Sequence, residues 1–242
     1  MAAIIELKNI SFTAQGRKLV KNAYFQFEEG KTIALIGQSG CGKSTLLKLS
    51  AGLIVPDEGE ILYKGKNIFR MNRLENLSFR CESAVVFQDS ALWANQNLYQ
   101  TLELPLQLHF PEMTKNERDE KIKAMALLVG YRKDLLVRPS QLSMGEQKLI
   151  AFARAMICKP KLLYLDEWTE SLDESASQRL IGIVKKIQNE GITIIMITHK
   201  VSIIQDIANE AVVIIEGKIS SHLTQDQMNE TEIKKYIEGE EA

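Results

Sequence analysis

A glycine-rich loop between a buried strand and a helix constrains this chain more than any other feature. The apolar run Thr32–Ile36 predicts a strand, and residues 46–49 begin a helical pattern. Residues 37–45 between them read Gly-Gln-Ser-Gly-Cys-Gly-Lys-Ser-Thr. Glycines let such a loop wrap closely around phosphate, and the N-terminus of the following helix adds positive potential. The sequence therefore predicts a phosphate-binding loop at the carboxyl end of a strand.

This loop fits the Walker A pattern in its strand-loop-helix setting. Lys43 is predicted to bridge the β- and γ-phosphates, and Ser44 is predicted to hold Mg²⁺. Taken alone, the loop indicates nucleoside triphosphate binding, which kinases, GTPases and motors share. The candidate nucleotide-binding residues of the loop are Gly37, Ser39, Gly40, Cys41, Gly42, Lys43, Ser44 and Thr45.

The rest of the chain alternates short apolar runs with helical patterns, which is typical of an α/β fold with a mainly parallel sheet. The segment Glu174–Asn189 has a helical pattern and is followed by Gly191. The N-terminal part differs, because short strand-like pieces between residues 4 and 27, and again at 60–63, are separated by turn residues such as Gln15-Gly16. These pieces predict an antiparallel β layer. The further predicted buried strands are 84–87, 162–165, 192–197 and 211–215.

Length and spacing favour one domain with subdomains. The chain has 242 residues, of which 45% are hydrophobic. Residues 98–158 carry Leu, Ala and Met at helical spacing, and Thr114 and Glu117 form a predicted capping box. We expect a nucleotide-binding core from 1–88 and 159–224, a helical subdomain from 89–158, and a polar tail, 225–242, that forms a surface helix ending near Gly239.

Charge and cysteine content exclude several classes of protein. The 30 basic residues nearly balance the 31 acidic ones, so no basic surface argues for a nucleic-acid partner. Cys41, Cys81 and Cys158 lie far apart and are odd in number, which argues against a disulfide framework or a zinc site and favours a reducing cytoplasm. No run approaches the roughly 18 apolar residues that a bilayer crossing needs. We therefore expect no direct membrane insertion.

Two carboxylates follow the predicted strand at 162–165. Asp166 is placed to complete the Mg²⁺ shell, and Glu167 is placed to polarise an attacking water as general base. This arrangement matches the Walker B motif. Two acids after a strand also suit the start of a helix, so the pair by itself leaves both interpretations open.

Four further motifs stand in the order found in the ABC family of ATPases. The sequence Leu-Ser-Met-Gly-Glu-Gln resembles the family's LSGGQ signature, although a helix capped by Ser143 is the alternative interpretation. With Walker A and Walker B, the resemblance covers residues 7–215 and implies a P-loop NTPase of the ABC type. The motifs are the Q-loop at 86–88, the signature at 142–147, the D-loop at 171–173 and the H-loop at 197–199.

The resemblance implies a dimer of two ATPase copies that sandwich each ATP. In the family the signature of one copy contacts the nucleotide held by the other, which assigns nucleotide contacts to Ser143 and Gly145. Asp173 of the D-loop would communicate between the two sites. We expect a homodimer as the default arrangement.

The resemblance also implies roles in hydrolysis, with ATP and Mg²⁺ as cofactors. Gln88 would join Ser44 and Asp166 as a metal ligand and would contribute to catalysis. Glu167 would activate water, and His199 would contact the γ-phosphate. Integral membrane permease subunits would dock near residues 89–97 and place the chain at the cytoplasmic face of the membrane.

Some positions depart from the commonest family sequence. The adenine-stacking aromatic expected near Ala14 is missing, and Phe12 is the candidate substitute. Glu146 adds negative charge close to the predicted ATP interface, and Met144 adds bulk there. The remaining departures are Leu149, Trp168, Glu170 and Ser171.

The leading hypothesis is an ATPase subunit of a membrane transporter. Residues 11–13 and 87–92 also resemble ATPases of bacterial phospholipid-trafficking systems of the Mla type, which implies lipid as a cargo. One alternative is a soluble ABC ATPase that assembles protein complexes, as on iron-sulphur scaffolds. The other is a low-turnover dimer gated by nucleotide, suggested by the altered signature.

Overall fold

Within residues 2–239, which the computed structural model describes, ten strands form two sheets. The six-stranded sheet has the order β10-β9-β3-β8-β7-β6, and the four-stranded sheet has the order β2-β1-β4-β5. The strands are β1 (Ala3–Ala14), β2 (Arg17–Glu28), β3 (Thr32–Ile36), β4 (Glu58–Tyr63), β5 (Lys66–Asn67), β6 (Ser83–Val86), β7 (Leu162–Asp166), β8 (Thr193–Ile197), β9 (Glu210–Ile215) and β10 (Lys218–Thr224).

Several helices of the described chain begin at a residue whose side chain accepts a hydrogen bond from the first turn. Thr114 and Glu117 form the predicted capping box, which is thereby confirmed. Asn97 and Gln100 form another, which was not predicted. The helices are α1 (Lys43–Ser50), α2 (Arg73–Glu82), α3 (Leu98–His109), α4 (Lys115–Val129), α5 (Met144–Met156), α6 (Glu174–Asn189), α7 (Val201–Ile207) and α8 (Glu230–Lys234).

The six-stranded sheet confirms the predicted mixed, mainly parallel core. Strands β9, β3, β8, β7 and β6 pair in parallel, and β10 pairs with β9 in antiparallel fashion. All five residues of β3 are buried, as are those of β7 and β8, because one face of the sheet packs against helices and the other against α1 and the β layer. The carboxyl ends of these strands therefore meet at one edge, where the phosphate-binding loop begins.

The antiparallel β layer is confirmed, but its subdivision into short pieces is wrong. β1 and β2 are each 12 residues long and form one hairpin around Gln15-Gly16. Register shifts interrupt their pairing, for example between Leu7 and Ile10. Such irregularities break the alternation of apolar and polar residues, which explains why the sequence pattern looks like separate pieces.

Two hydrophobic clusters fill the interior. The larger one joins the sheet to α3, α4 and α5, so that Ile36 and Val86 pack with residues such as Leu102 and Phe152. The smaller one lies between the sheet and the β layer and includes Phe27 and Leu47. The helices between residues 98 and 156 therefore share a core with the sheet.

The C-terminal tail differs in part from the predicted surface helix. α8 does form a helix, and a further helical turn, Lys235–Gly239, follows it. Ile233 is fully buried in the same cluster as Ile204 and Ile207 of α7, because it is the apolar residue of an otherwise polar segment. Residues 240–242 of the predicted tail lie outside the described residues. Among residues 2–239, no helix combines the length and the apolarity that a membrane crossing requires.

We expect Trp168→Ala to lower the free energy of unfolding by about 3–5 kcal/mol, because the side chain is fully buried beside Phe152 and its removal leaves a cavity. Trp168→Phe should cost less, since the indole N–H has no hydrogen-bond partner among residues 2–239. Urea denaturation measures both. Trp93→Ala, at a side chain that is 49% exposed, is the matched control. Equal losses for Trp168→Ala and Trp93→Ala would contradict this packing.

Candidate nucleotide-binding and hydrolysis site

The loop that follows β3 depends on close backbone packing. Gly42 has a φ of 110°, and a Cβ at this position would lie 2.5 Å from the carbonyl oxygen of Leu19. Lys43 begins α1, and its Nζ donates to the carbonyl oxygens of Gly37 and Gln38, both at 2.8 Å. No side chain caps the first turn of α1 in the described chain, so its N–H groups are suited to bind an anion, and the buried Lys43 lies beside them.

The fold brings most of the predicted site residues around one cleft of about 510 Å³. Gly37 and Cys41 belong to the loop but do not line this cleft. The carbonyl oxygen of Gly37 accepts from Lys43 Nζ, and Cys41 packs against the smaller hydrophobic cluster. Asp166 lines an adjoining cleft of about 630 Å³, which shares Ser44, Gln88 and Glu170 with the first. The predicted residues that line the first cleft are Ser39, Gly40, Gly42, Lys43, Ser44, Thr45, Gln88, Glu167 and His199.

Oxygen atoms that could act as ligands for Mg²⁺ lie close together where the two clefts adjoin. Ser44 Oγ donates to Asp166 Oδ1 at 3.2 Å. Asp166 is only 3% exposed, and burial raises the pKa of its carboxyl group. A bound cation would offset the cost of keeping this carboxylate ionised and buried, and hard oxygen ligands of this kind are those that Mg²⁺ prefers. The residues present therefore fit a magnesium ion.

Glu167 is held in a strained conformation next to the loop. Its φ is 45°, and its backbone N–H donates to Ile197 of β8 at 3.1 Å. Burial, together with the charges of Glu170 and Asp166, raises the pKa of Glu167 to about 7. A carboxyl group with a pKa near neutrality suits a general base.

His199 lies beside this carboxylate, with its Nε2 3.3 Å from Glu167 Oε1. Burial and then the charge of Lys43 lower the pKa of His199, so the ring is mainly neutral at pH 7. It lies two residues after the end of β8, and Glu167 lies one residue after the end of β7, so the pairing of these two strands places the two side chains together.

Among the residues that the structure describes, the signature and D-loop do not line the first cleft, and only Met144 and Ser171 of these motifs line the second. Ser143 caps α5, as its alternative interpretation predicted, and its side chain accepts from the N–H of Glu146. Gly145 lies next to the D-loop, where an added Cβ would be 3.0 Å from the carbonyl oxygen of Ser171. Asp173 caps α6 by accepting from Ala176 at 2.8 Å.

The negative charge of Glu146 is balanced within the chain. Its carboxylate pairs with Lys133 at 2.7 Å and accepts from the N–H and the hydroxyl of Ser143 at 2.9 and 3.1 Å. The hydrogen bond from Lys133, followed by that from the Ser143 backbone, lowers the pKa of Glu146. Met144 is 70% exposed, so its added bulk points away from the core.

Several residues at the cleft were missed from sequence. Phe12, the candidate adenine-stacking residue, packs against the smaller hydrophobic cluster, whereas Arg17 and Leu19 line the cleft. These two residues follow the Gln15-Gly16 turn, which was recognised, but only the tertiary fold carries that hairpin over the loop. Glu170, noted only as an unusual residue, contacts Gln88 and lines both clefts.

The fold and the site together define a P-loop nucleotide-binding protein. The family model described as ABC transporter matches residues 20–170 of the chain. The chain therefore belongs to the ATP-binding family of ABC transporters, and it is an ATP-binding ATPase domain of that family.

Similar proteins agree with this assignment. The methionine import ATP-binding protein MetN of Clostridium tetani is 33% identical over 98% of this chain and 76% of that protein. MetN of Clostridium acetobutylicum is 32% identical over 84% of this chain, which spans 63% of that relative's length. A dimeric structure of a bacterial ABC transporter cassette matches with a TM-score of 0.85 and 25% identity, over 91% of this chain and 98% of that one.

We expect Gly42→Ala to weaken ATP binding by more than about tenfold, because the new methyl group would displace the loop from the carbonyl of Leu19. Calorimetric titration with ATP measures the affinity. Gly16→Ala is the matched control, since Gly16 also has a positive φ, of 75°, but an added Cβ meets no atom within 4 Å. Tight ATP binding by Gly42→Ala would show that the close packing of the loop is not required.

Proposed function

We propose that this chain is the ATP-hydrolysing subunit that works as a pair to power a separate membrane transporter. The observation that carries the proposal is the division of the site. Lys43, Glu167 and His199 line one cleft, while Ser143 lies outside it. A complete site of the ABC type therefore needs a signature from a second copy.

Within one copy, the side chains of the site would position the phosphates of the nucleotide and take a proton from the attacking water. Lys43 and the first turn of α1 would bind the β- and γ-phosphates. Glu167 would accept a proton from the attacking water, and the neutral ring of His199 would donate a hydrogen bond to the transferring phosphoryl group. Ser44, Asp166 and Gln88 would hold Mg²⁺, which when bound neutralises phosphate charge.

The second copy would complete the site. Ser143 lies in the exposed surface at the N-terminus of α5, where N–H groups and a hydroxyl are suited to a phosphate. Loss of the γ-phosphate would remove the charge that holds the two copies together, and the resulting cycle of closing and opening would be the mechanical output. A dimeric state in the cassette reported above supports this arrangement.

A membrane partner would bind beside the Q-loop. Trp93 is exposed in the segment 89–97, and Leu92 beside it is partly buried against the larger cluster. Arg154 of α5 donates to the carbonyl oxygens of Ala91 and Ser90, at 2.6 and 3.2 Å, which fixes this segment to the helix that begins at the signature. A permease seated here would sense the state of the nucleotide site and keep the chain at the cytoplasmic face of the membrane.

This proposal assigns different roles to the two parts of the chain. We infer that residues 1–88 and 159–224 hold the nucleotide and that residues 89–158 carry the signature and the partner surface. The larger hydrophobic cluster spans both parts, which supports concerted movement rather than independent folding.

The charge balance at the signature argues against a low-turnover dimer, since Lys133 offsets the charge of Glu146. The names of the relatives support import of a small solute, while lipid cargo stays a prediction of the Mla-type resemblance. Co-sedimentation with membranes in the presence of permease subunits would distinguish a transporter subunit from a soluble assembly ATPase.

We expect kcat/KM for ATP to fall about tenfold per pH unit below a midpoint near 7. The pKa of Glu167 is raised, so the group is protonated and unable to act as a base below that pH. Phosphate release between pH 5.5 and 8.5, about 1.5 units each side of the midpoint, measures this dependence.

We expect Glu167→Gln to abolish turnover and to accumulate an ATP-bound dimer. Phosphate release and size exclusion in ATP measure these two effects. Normal hydrolysis by Glu167→Gln would refute the assigned base.

We expect Trp93→Ala to reduce transport at least about fivefold while basal ATP hydrolysis stays within about twofold, because the side chain is exposed and belongs to the proposed partner surface. Transport by the reconstituted complex and phosphate release by the isolated chain are the two measurements. Tyr24→Ala, at another exposed aromatic outside this segment, is the control. Unchanged transport in Trp93→Ala would place the partner elsewhere.

A further inference from the structure

The side chain of Gln88 is held by a group that can only accept hydrogen bonds. Gln88 Nε2 donates to Glu170 Oε2 at 2.9 Å. An ionised carboxylate accepts and does not donate, so it selects one of the two orientations of the Gln88 amide. In that orientation the amide nitrogen faces Glu170, and the amide oxygen Oε1 is left for another partner.

We propose that Glu170 is a positioning residue that turns the Oε1 atom of Gln88 toward the metal position beside Ser44 and Asp166. This inference rests on the proposed function, because it assigns a role in the same nucleotide site. The three residues that the two adjoining clefts share are Ser44, Gln88 and Glu170. Glu170 therefore stands at the boundary where a metal between the clefts would bind.

The backbone on both sides of this contact is already fixed. Lys148 of α5 is 2% exposed, and its Nζ donates to the carbonyl oxygen of Phe87 at 3.0 Å and to that of Gln88. The N–H of Glu170 donates to the carbonyl oxygen of Glu167 at 3.1 Å, which closes a turn directly after the strand β7. These contacts leave the side chain of Gln88 free to rotate, and its hydrogen bond to Glu170 limits the orientation of the amide.

Glu170 could also act on a cation through its charge alone, because it is a carboxylate close to Asp166 and Glu167. The two roles differ in one respect. Positioning requires the Gln88 side chain, whereas attraction of Mg²⁺ by charge does not. A double-mutant cycle between Glu170 and Gln88 therefore separates them.

The measurement is the affinity for a non-hydrolysable ATP analogue with Mg²⁺ and with EDTA, by calorimetric titration of the full chain. The ratio of the two dissociation constants gives the Mg²⁺ contribution. Glu170→Gln keeps the size of the side chain but can present either a donor or an acceptor to Gln88. We expect it to lower the Mg²⁺ contribution about threefold, a modest effect because both side chains are exposed.

In a Gln88→Ala background, Glu170→Gln should leave the Mg²⁺ contribution unchanged. Glu174→Gln is the matched control, since Glu174 accepts from Gln178 Nε2 at 2.8 Å in a similar exposed pair that does not line either cleft in the described chain. Thermal unfolding of each variant checks that the fold is retained.

An equal loss in the wild-type and Gln88→Ala backgrounds would show that Glu170 acts by charge and would overturn the positioning role. No loss in the wild-type background would overturn it as well. Failure of the wild-type chain to bind the analogue at all would instead contradict the proposed function, so the two failures are distinguishable.

Discussion

Parallel pairing of β3, β7 and β8 is the constraint on which the site depends. Because these strands run in the same direction and lie next to one another, their carboxyl ends meet at one edge. The phosphate-binding loop leaves β3 there, Glu167 follows β7, and His199 follows β8. Residues that are more than 120 positions apart in the chain thus come within contact of one another, as Ser44 and Asp166 do.

The helix α5 connects this edge to the rest of the molecule. Its N-terminus carries the signature, and two cations along it bind backbone carbonyls of the segment that follows β6. Lys148 binds the carbonyls of Phe87 and Gln88, at the end nearest the proposed metal position, and Arg154 binds those of Ser90 and Ala91, at the end nearest Trp93. Lys148 is buried and Arg154 is partly buried, and the carbonyls that they bind cannot shift without losing these bonds, so movement of α5 and movement of this segment are coupled.

Much of the fold was predictable because it rests on local patterns. The parallel strands are short, apolar and flanked by turn residues, and no predicted bound of these strands differs from the observed one by more than one residue. The prediction failed where contacts override the pattern. β1 and β2 read as fragments because of their register shifts, and Ile233 was assigned to a surface although it is buried against α7. The helix α2 and the edge strand β10 were not predicted.

The sequence by itself determined the phosphate-binding loop, the order of the motifs and the family, since these depend on residue types at short, fixed spacings. Only the tertiary structure decided which side chains meet at the cleft. It placed Arg17 and Leu19 at the cleft and Phe12 against the smaller hydrophobic cluster, gave Glu146 a partner in Lys133, and placed Glu170 against Gln88. The physical reason is that such contacts join residues distant in the chain, and their geometry is set by strand pairing and core packing rather than by local pattern.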